Sequence, residues 1–528
     1  MSNRKLFKIA GFVGIFILAS KIFGLLRDLV IANIYGTSIT ADAYNFAYLL
    51  TGNILILIGG IGGPFHSATI TILSRIKDNA KESGSFLLKI IIVTFFALTA
   101  LTVLILYFKD PIIQSILPAS GLEEVYRSKL WELTSNQLTI MSPLIIISGL
   151  LGIFCGVANI YGGYFWPSFG PALPSISIII AILVTKDTTS GIALGIGTLI
   201  GATLQLLVQF PYTLKAILYE NLKLTFLSKQ KAVEDFGYFL GPALLSTTIG
   251  QFTVYIDGFF CSGLPEGSWT ATLFANRLIQ LPLGILVTSF LIPFFPRFSE
   301  LANLNKTDDL KNTSMAVIKS LWFLSLPIAA FLLLFAKPIV SVIFQRGAFD
   351  ESSTALVSAI LVALILSIVA YVARDTLTRV FYSLGDSKTP LFIAFVAIIT
   401  KIILNSLLVE KYQAPGIAFA TSLVTVFNFL LLWILLRRKI GTLGFSKHLR
   451  SIVKMATATI VMILCGLLIV IGFGSYVTEF SFITKMAYIS GSFIFCFLIY
   501  FGLALTLRIE EAEKVLKEIK SRFIVLKP

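Results

Sequence analysis

The chain has 528 residues, of which 56% are hydrophobic and only 13% charged. No soluble core needs that much apolar surface, and apolar runs longer than about eighteen residues recur throughout, so the composition predicts a polytopic helical membrane protein. Transmembrane barrels are excluded by the lack of short alternating segments, and the net charge of +15 comes from bases gathered in short loops between apolar runs, a positive-inside pattern rather than a nucleic-acid surface.

The basic start, Arg4-Lys5-Leu-Phe-Lys8, resembles the opening of a signal peptide. The apolar run continues past Gly36 with no clear cleavage site, so it reads as a retained first helix. About fourteen spans are expected, near residues 8–35, 41–73, 86–108, 133–160, 170–185, 190–217, 235–261, 269–298, 314–345, 353–383, 388–409, 414–437, 451–474 and 482–507.

Within the first span, Ser20, Lys21, Gly24, Arg27 and Asp28 fall on one helical face amid Ile, Leu, Phe and Val. A charge in hydrocarbon is costly unless it faces a polar cavity or a partner, so this face marks a candidate site. The second span opens with Asp42 and Asn45 and later carries Gly59-Gly60-Ile-Gly62-Gly63-Pro64, a run expected to bend the helix, to allow close packing, or both. The eighth span carries Asn276, Arg277 and Gln280, the counterpart of the first span's charged face. Arg27 and Arg277 facing a shared cavity would suit phosphate; alternatively Asp28 or Asp42 neutralises Arg27, and Asp257 neutralises Arg277. In the seventh and eleventh spans, Asp257 is expected to pair with Lys401 or, with Asn405, to bind a coupling cation or proton. The tenth span sets Asp375 and Arg379 four residues apart, and the following Gly385-Asp386-Ser-Lys388-Thr-Pro390 reads as a turn. Beyond Leu507, Ile509, Ala512, Leu516, Ile519 and Phe523 recur at helical spacing, giving either an amphipathic surface helix or a solvated end.

Bases at Arg75, Lys77 and Lys81, at Lys223, Lys229 and Lys231, and at Arg437, Arg438 and Lys439 place both termini on the cytoplasmic side. Cys155, Cys261, Cys465 and Cys496 lack metal-ligand spacing, and His66 and His448 stand apart from any cysteine or carboxylate cluster, so no metal or cofactor is expected. No phosphate-cradling glycine loop, nucleophile elbow or HExxH is present, so the chain reads as no enzyme.

An internal repeat is visible. Gly191-Ile-Ala answers Gly416-Ile-Ala, Tyr161 and Pro167 answer Tyr382 and Pro390, and Pro64-Phe65 answers Pro293-Phe294, in the same order and about 220 to 230 residues apart. The expected organisation is a six-helix lobe over residues 1–225, a second over 226–445, two further spans over 446–507, and a cytoplasmic amphipathic tail over 508–528.

Together, Ser20-Lys21-Ile-Phe-Gly24-Leu-Leu-Arg27-Asp28 with Asp42-Ala43-Tyr44, Phe274-Ala-Asn-Arg277-Leu-Ile-Gln280, Phe344-Gln-Arg346-Gly347-Ala-Phe349 and Phe381-Tyr-Ser-Leu-Gly-Asp386 resemble the MurJ/MviN family. That family comprises bacterial lipid II flippases of the multidrug/oligosaccharidyl-lipid/polysaccharide exporter superfamily. The resemblance implies alternating access of two lobes around a cationic cavity, with lipid II as cargo, and matches Arg27, Asp28, Asp42 and Arg277 to the family's charged cavity residues. Ser20, Lys21 and Gln280 join them as candidate headgroup contacts. Lys21 stands where arginine is usual, and residues 53–65 lack the arginine and Glu-Gly pair common there. The expected location is the bacterial inner membrane, with cell-wall synthesis proteins as further partners. Competing readings are an exporter of another polyprenyl-diphosphate oligosaccharide and a non-transporting scaffold of wall synthesis.

Overall fold

The computed structural model describes residues 3–60, 62–118, 122–186, 189–219, 231–473 and 481–525. Ile61 of the glycine run, the bases Lys223 and Lys229, and the side chains of Ile519 and Phe523 lie outside the described residues. Every regular element described is a helix. In a chain this apolar that is a physical requirement, because lipid offers backbone N–H and C=O groups no partner and a helix satisfies them internally.

The chain divides into two compact units. The first comprises Met1–Thr270 with Arg346–Phe349. Its helices are α1 (Asn3–Tyr35), α2 (Ile39–Leu50), α3 (Gly52–Gly59), α4 (Pro64–Ile76), α5 (Ala80–Tyr107), α6 (Lys109–Ile116), α7 (Glu124–Met141), α8 (Leu144–Ile160), α9 (Phe165–Phe169), α10 (Ala172–Thr185), α11 (Ile192–Leu207), α12 (Phe210–Tyr219) and α13 (Lys231–Cys261). Phe65, Phe86, Phe154 and Phe236 anchor a core that joins α4, α5, α8 and α13. The Phe236 ring meets Phe86 and Phe65 edge-on at 5.8 and 6.2 Å.

The second unit comprises Ala271–Gln345 and Asp350–Pro528. It takes in α14 (Ser268–Leu286) from its fourth residue, then α15 (Phe295–Asn303), α16 (Thr307–Leu334), α17 (Ala336–Phe344), α18 (Glu351–Ser383), α19 (Lys388–Ile440), α20 (Phe445–Phe473), α21 (Phe482–Thr506) and α22 (Glu510–Val525). Phe323, Phe331, Phe335, Met455, Met462 and Tyr500 form its core, and the Tyr500 hydroxyl donates to the Phe323 carbonyl at 3.0 Å. The first turn of the tail helix α22 belongs to this core: Ile509 and Ala512 are buried in it, and the Lys319 ammonium pairs with Glu510 and Glu511 at 3.2 and 3.1 Å. The start of the tail is therefore packed on protein, which excludes a simply solvated end.

Eight helices among the described residues are long and apolar enough to cross a membrane, or nine if Lys231–Ile249 and Gln251–Cys261, bent by 41°, make one span. The expected number was fourteen. Part of the difference arises where apolar stretches are broken or merged, and α10, at 14 residues, is too short to count. The second stretch is split into α2, α3 and α4; the eighth passes from α14 through a π turn (Val287–Leu291) and a 3-10 turn (Ile292–Phe294) into α15. The stretches 388–409 and 414–437 run together as α19, interrupted at Gln413, whose φ of 50° and ψ of −136° are not helical. The Lys401 ammonium donates to the Ile417 carbonyl at 3.4 Å and to the Thr421 hydroxyl. Sixteen residues of straight helix would separate Lys401 from Ile417 by about 24 Å, so the chain reverses at Gln413 and α19 is a helical hairpin.

The breaks respect the internal repeat. Pro64 opens α4 after the glycine run, and Pro293 lies in the 3-10 turn just before α15. Proline at these points costs no helical hydrogen bond.

Candidate functional site

On the charged face of α1, the Arg27 guanidinium folds back on its neighbour: Nε and Nη2 donate to Asp28 Oδ1 at 3.0 and 2.7 Å. The two side chains are 13% and 8% exposed, and the Tyr44 and Tyr48 phenols of α2 lie close enough to act on the guanidinium electrostatically. A buried arginine keeps its charge, so the carboxylate beside it is what makes burial tolerable. This settles which acid faces Arg27: it is Asp28. An anionic ligand reaching Arg27 must compete with a carboxylate already in place. On the same helix Ser20 is half-buried and Lys21 exposed.

Asp42 does different work. It is 4% exposed, and its carboxylate accepts from Gly267 N at 2.8 Å, from Thr270 N at 2.8 Å and from Thr270 Oγ1 at 2.7 Å. These are the unpaired amides at the start of α14, so Asp42 caps that helix from α2. The arrangement is reciprocal, because Ile39 N, the first amide of α2, donates to Glu266 Oε1 at 2.6 Å. Asn45 Nδ2 donates to Thr270 Oγ1 at 3.0 Å, and Phe46 stacks on Trp269 at 5.7 Å. The loop Arg346–Phe349 joins the same end of the unit, where Ala348 N donates to the Asn33 carbonyl at 2.8 Å. Sequence reasoning missed Glu266, Gly267 and Thr270. The available signal was Gly267-Ser268 directly before an apolar run, which marks a helix start but not the acid that caps it.

The remaining candidates are placed as follows. Arg277 and Gln280 are exposed on α14 in the second unit. Asp257 is half-buried on α13 in the first unit. Lys401 is 1% exposed and Asn405 fully buried, one turn apart on the first arm of the α19 hairpin. Among the described residues no group of three or more His, Cys, Asp or Glu side chains could hold a metal ion.

The break in the second stretch is built in detail. Gly62 has φ +80°, a conformation that disfavours any residue with a Cβ, and Gly63 N donates to the Gly60 carbonyl at 2.9 Å to close the turn. A methyl on Gly59 would collide with the Ser148 carbonyl of α8, so the run serves both the bend and close packing. His66 was set aside in the sequence as an isolated histidine. Here its Nδ1 accepts from Gly62 N at 3.0 Å and its Nε2 lies 2.8 Å from the Asn159 amide of α8.

Comparison with known proteins accords with this fold. The family described as "Lipid II flippase MurJ" matches residues 31–490. A protein of Synechocystis sp. described as "Probable lipid II flippase MurJ" is 34% identical over 453 residues, covering 83% of each chain. A Buchnera aphidicola protein with the same description is 30% identical over 440 residues, covering 82% of this chain and 84% of its own. The solved structure "Lipid II flippase MurJ, inward closed conformation" superposes with a TM-score of 0.73 at 23% identity, over 93% of this chain and 98% of that one. An inward-facing multidrug resistance MATE family transporter of the MOP superfamily shares the fold with a TM-score of 0.64 at 14% identity, over 81% and 98%. The chain is a member of the MurJ lipid II flippase family.

Proposed function

We propose that this chain carries lipid II from the inner to the outer leaflet of the bacterial cytoplasmic membrane by alternating access. The observation that carries the reading is the family match over residues 31–490. No bond is made or broken; the cargo crosses intact. Arg27 and Arg277 contact the diphosphate during the cycle, with Ser20, Lys21 and Gln280 as neighbouring polar contacts. Two forked guanidinium groups suit diphosphate oxygens, and Asp28 holds the Arg27 charge until the anion displaces it. Asp42 enters as a positioning residue, its carboxylate being occupied by the start of α14. Asp257 pairs with Lys401 or, with Asn405, binds a coupling cation or proton. The organisation proposed is two lobes, 1–225 and 226–445, two further spans over 446–507 and the tail 508–528, with both termini cytoplasmic. The basic ends of α4 (Arg75) and α19 (Arg437, Arg438 and Lys439) support that orientation.

The test is reconstitution of the chain into liposomes carrying fluorescent lipid II in one leaflet, with a protected-leaflet assay. Lipid II becoming accessible from the other side supports the reading. Movement of a peptide-free polyprenyl-diphosphate oligosaccharide but not of lipid II would assign another cargo, and movement of neither would leave a scaffold.

A further inference from the structure

His66 is 6% exposed and lies two residues past Pro64, inside the first turns of α4. Its ring joins three pieces of the first unit: the glycine break, through Gly62 N; its own helix; and α8, through Asn159. The geometry fixes the ring's protonation. Gly62 N–H points at Nδ1, so Nδ1 carries a lone pair. A neutral imidazole then has its hydrogen on Nε2, and Asn159 must present its amide oxygen to it. Imidazolium has no acceptor, so a proton on Nδ1 sets two donors against each other and frees Gly62 N–H.

The rest of the break depends on that bond. Gly62 is held at φ +80°, Ser67 Oγ donates to the Gly62 carbonyl at 3.2 Å, and Ser67 N donates to the Gly63 carbonyl at 2.9 Å. On the α8 side there is no room to relax, since a methyl on Gly152 would strike Phe65 and the backbone nitrogen of His66. The elements packed on α4 bring Lys81, Glu82 and Lys89 from α5, Cys155 and the following Tyr161 from α8, and Glu234, Asp235 and Tyr238 from α13, with Arg75 on α4 itself. None of these acts on the imidazole by its charge, and burial dominates the ring's environment. Among the described residues the ring's hydrogen-bond partners are Gly62 N and the Asn159 amide, with no carboxylate bonded to it.

We infer that His66 is a positioning residue for transport, its neutral Nε2–H form holding the break between α3 and α4 and its protonation releasing that break. The inference rests on the flippase reading for its functional consequence, and on geometry alone for the tautomer.

The experiment separates the two. In a His448→Gln background His66 is the only histidine, so 15N-histidine labelling of the full chain in nanodiscs reports on one ring. At pH 8 the spectrum should show a pyridine-type Nδ1 and a pyrrole-type Nε2, and the neutral signals should give way to imidazolium as the pH is lowered to 5. The opposite tautomer, or a ring that does not titrate over that range, overturns the inference whether or not the chain moves lipid II. In the liposome assay, the parent's rate should fall between pH 7.5 and pH 5 in step with the loss of the neutral ring signals. His66→Asn keeps an acceptor at the Nδ1 position but cannot take a proton; it should transport at pH 7.5 within about threefold of the parent and lose the pH dependence. A His66→Asn chain that keeps the parent's pH profile overturns the functional half.

Discussion

Replacing Asp42 tests whether its carboxylate belongs to the fold or to the cargo. Its three accepted bonds, at 2.8, 2.8 and 2.7 Å, include two backbone amides at the start of α14. Asp42→Ala strips the cap and leaves the Gly267 and Thr270 amides unpaired at a buried site. Loss of a cap alone costs about 1 kcal/mol, and each buried donor left unsatisfied costs about 1–3 kcal/mol, so the expected loss is about 3 kcal/mol. In a chain of this size that lowers the unfolding transition by roughly 3 °C. Asp42→Asn keeps one oxygen for Thr270 and loses acceptance from Gly267, which should cost about 1–2 kcal/mol. The assay is thermal unfolding of purified protein in one detergent, followed by gel-filtration fluorescence, with translocation measured on the same preparations. Transport should follow stability, with Asn retaining most of it and Ala losing it. An Asp42→Ala chain melting within about 1 °C of the parent would refute the capping argument; a stable but inactive Asp42→Asn chain would show that the charge itself serves transport.

Three further outcomes are expected. Gly59→Ala places a methyl against the Ser148 carbonyl and should destabilise the first unit by about 1–3 kcal/mol, seen as a lowered melting temperature, whereas Gly14→Ala, which meets open space, should not. Asp386 accepts from Lys439 Nζ at 2.6 Å and from Thr389 N at 3.0 Å, and these bonds, Lys439's first, hold its carboxyl down at about 2. A depressed carboxylate stabilises the fold above its unfolded value near 4 and loses that contribution as the pH falls from about 4 to about 2; Asp386→Asn should flatten the parent's acid-unfolding curve in that window. Lys319→Met leaves Glu511, 6% exposed, buried without its cation, so α22 should detach and limited proteolysis should cut near residue 510 much faster than in the parent.

Much of this fold was legible because lipid imposes a simple rule. Apolar runs became helices, the glycine run before Pro64 became a break, Asp375 and Arg379 pair at 3.3 Å, and the repeat marks Pro64 and Pro293 as matching interruptions. The number of spans was less legible, because hydropathy does not register a π turn, whereas the break expected between 409 and 414 is found at Gln413. Arg27 and Asp28 could be singled out since charge inside an apolar run is conspicuous whatever the tertiary structure. The partners of Asp42, more than 220 residues away, could not, because a cap supplied from another helix leaves no local pattern. His66 looked ordinary for the same reason: its significance lies in a backbone amide and in Asn159, 93 residues on.

The central claim is that the guanidinium groups of Arg27 and Arg277 handle the diphosphate of lipid II. Its most direct test is growth and lipid II translocation in a bacterium depleted of its own flippase, comparing this chain with Arg27→Ala and Arg277→Ala variants at matched expression. Rescue by the parent and failure of both variants is the result predicted. Variants that rescue as well as the parent would contradict it, and would leave Arg27 as no more than the partner of Asp28.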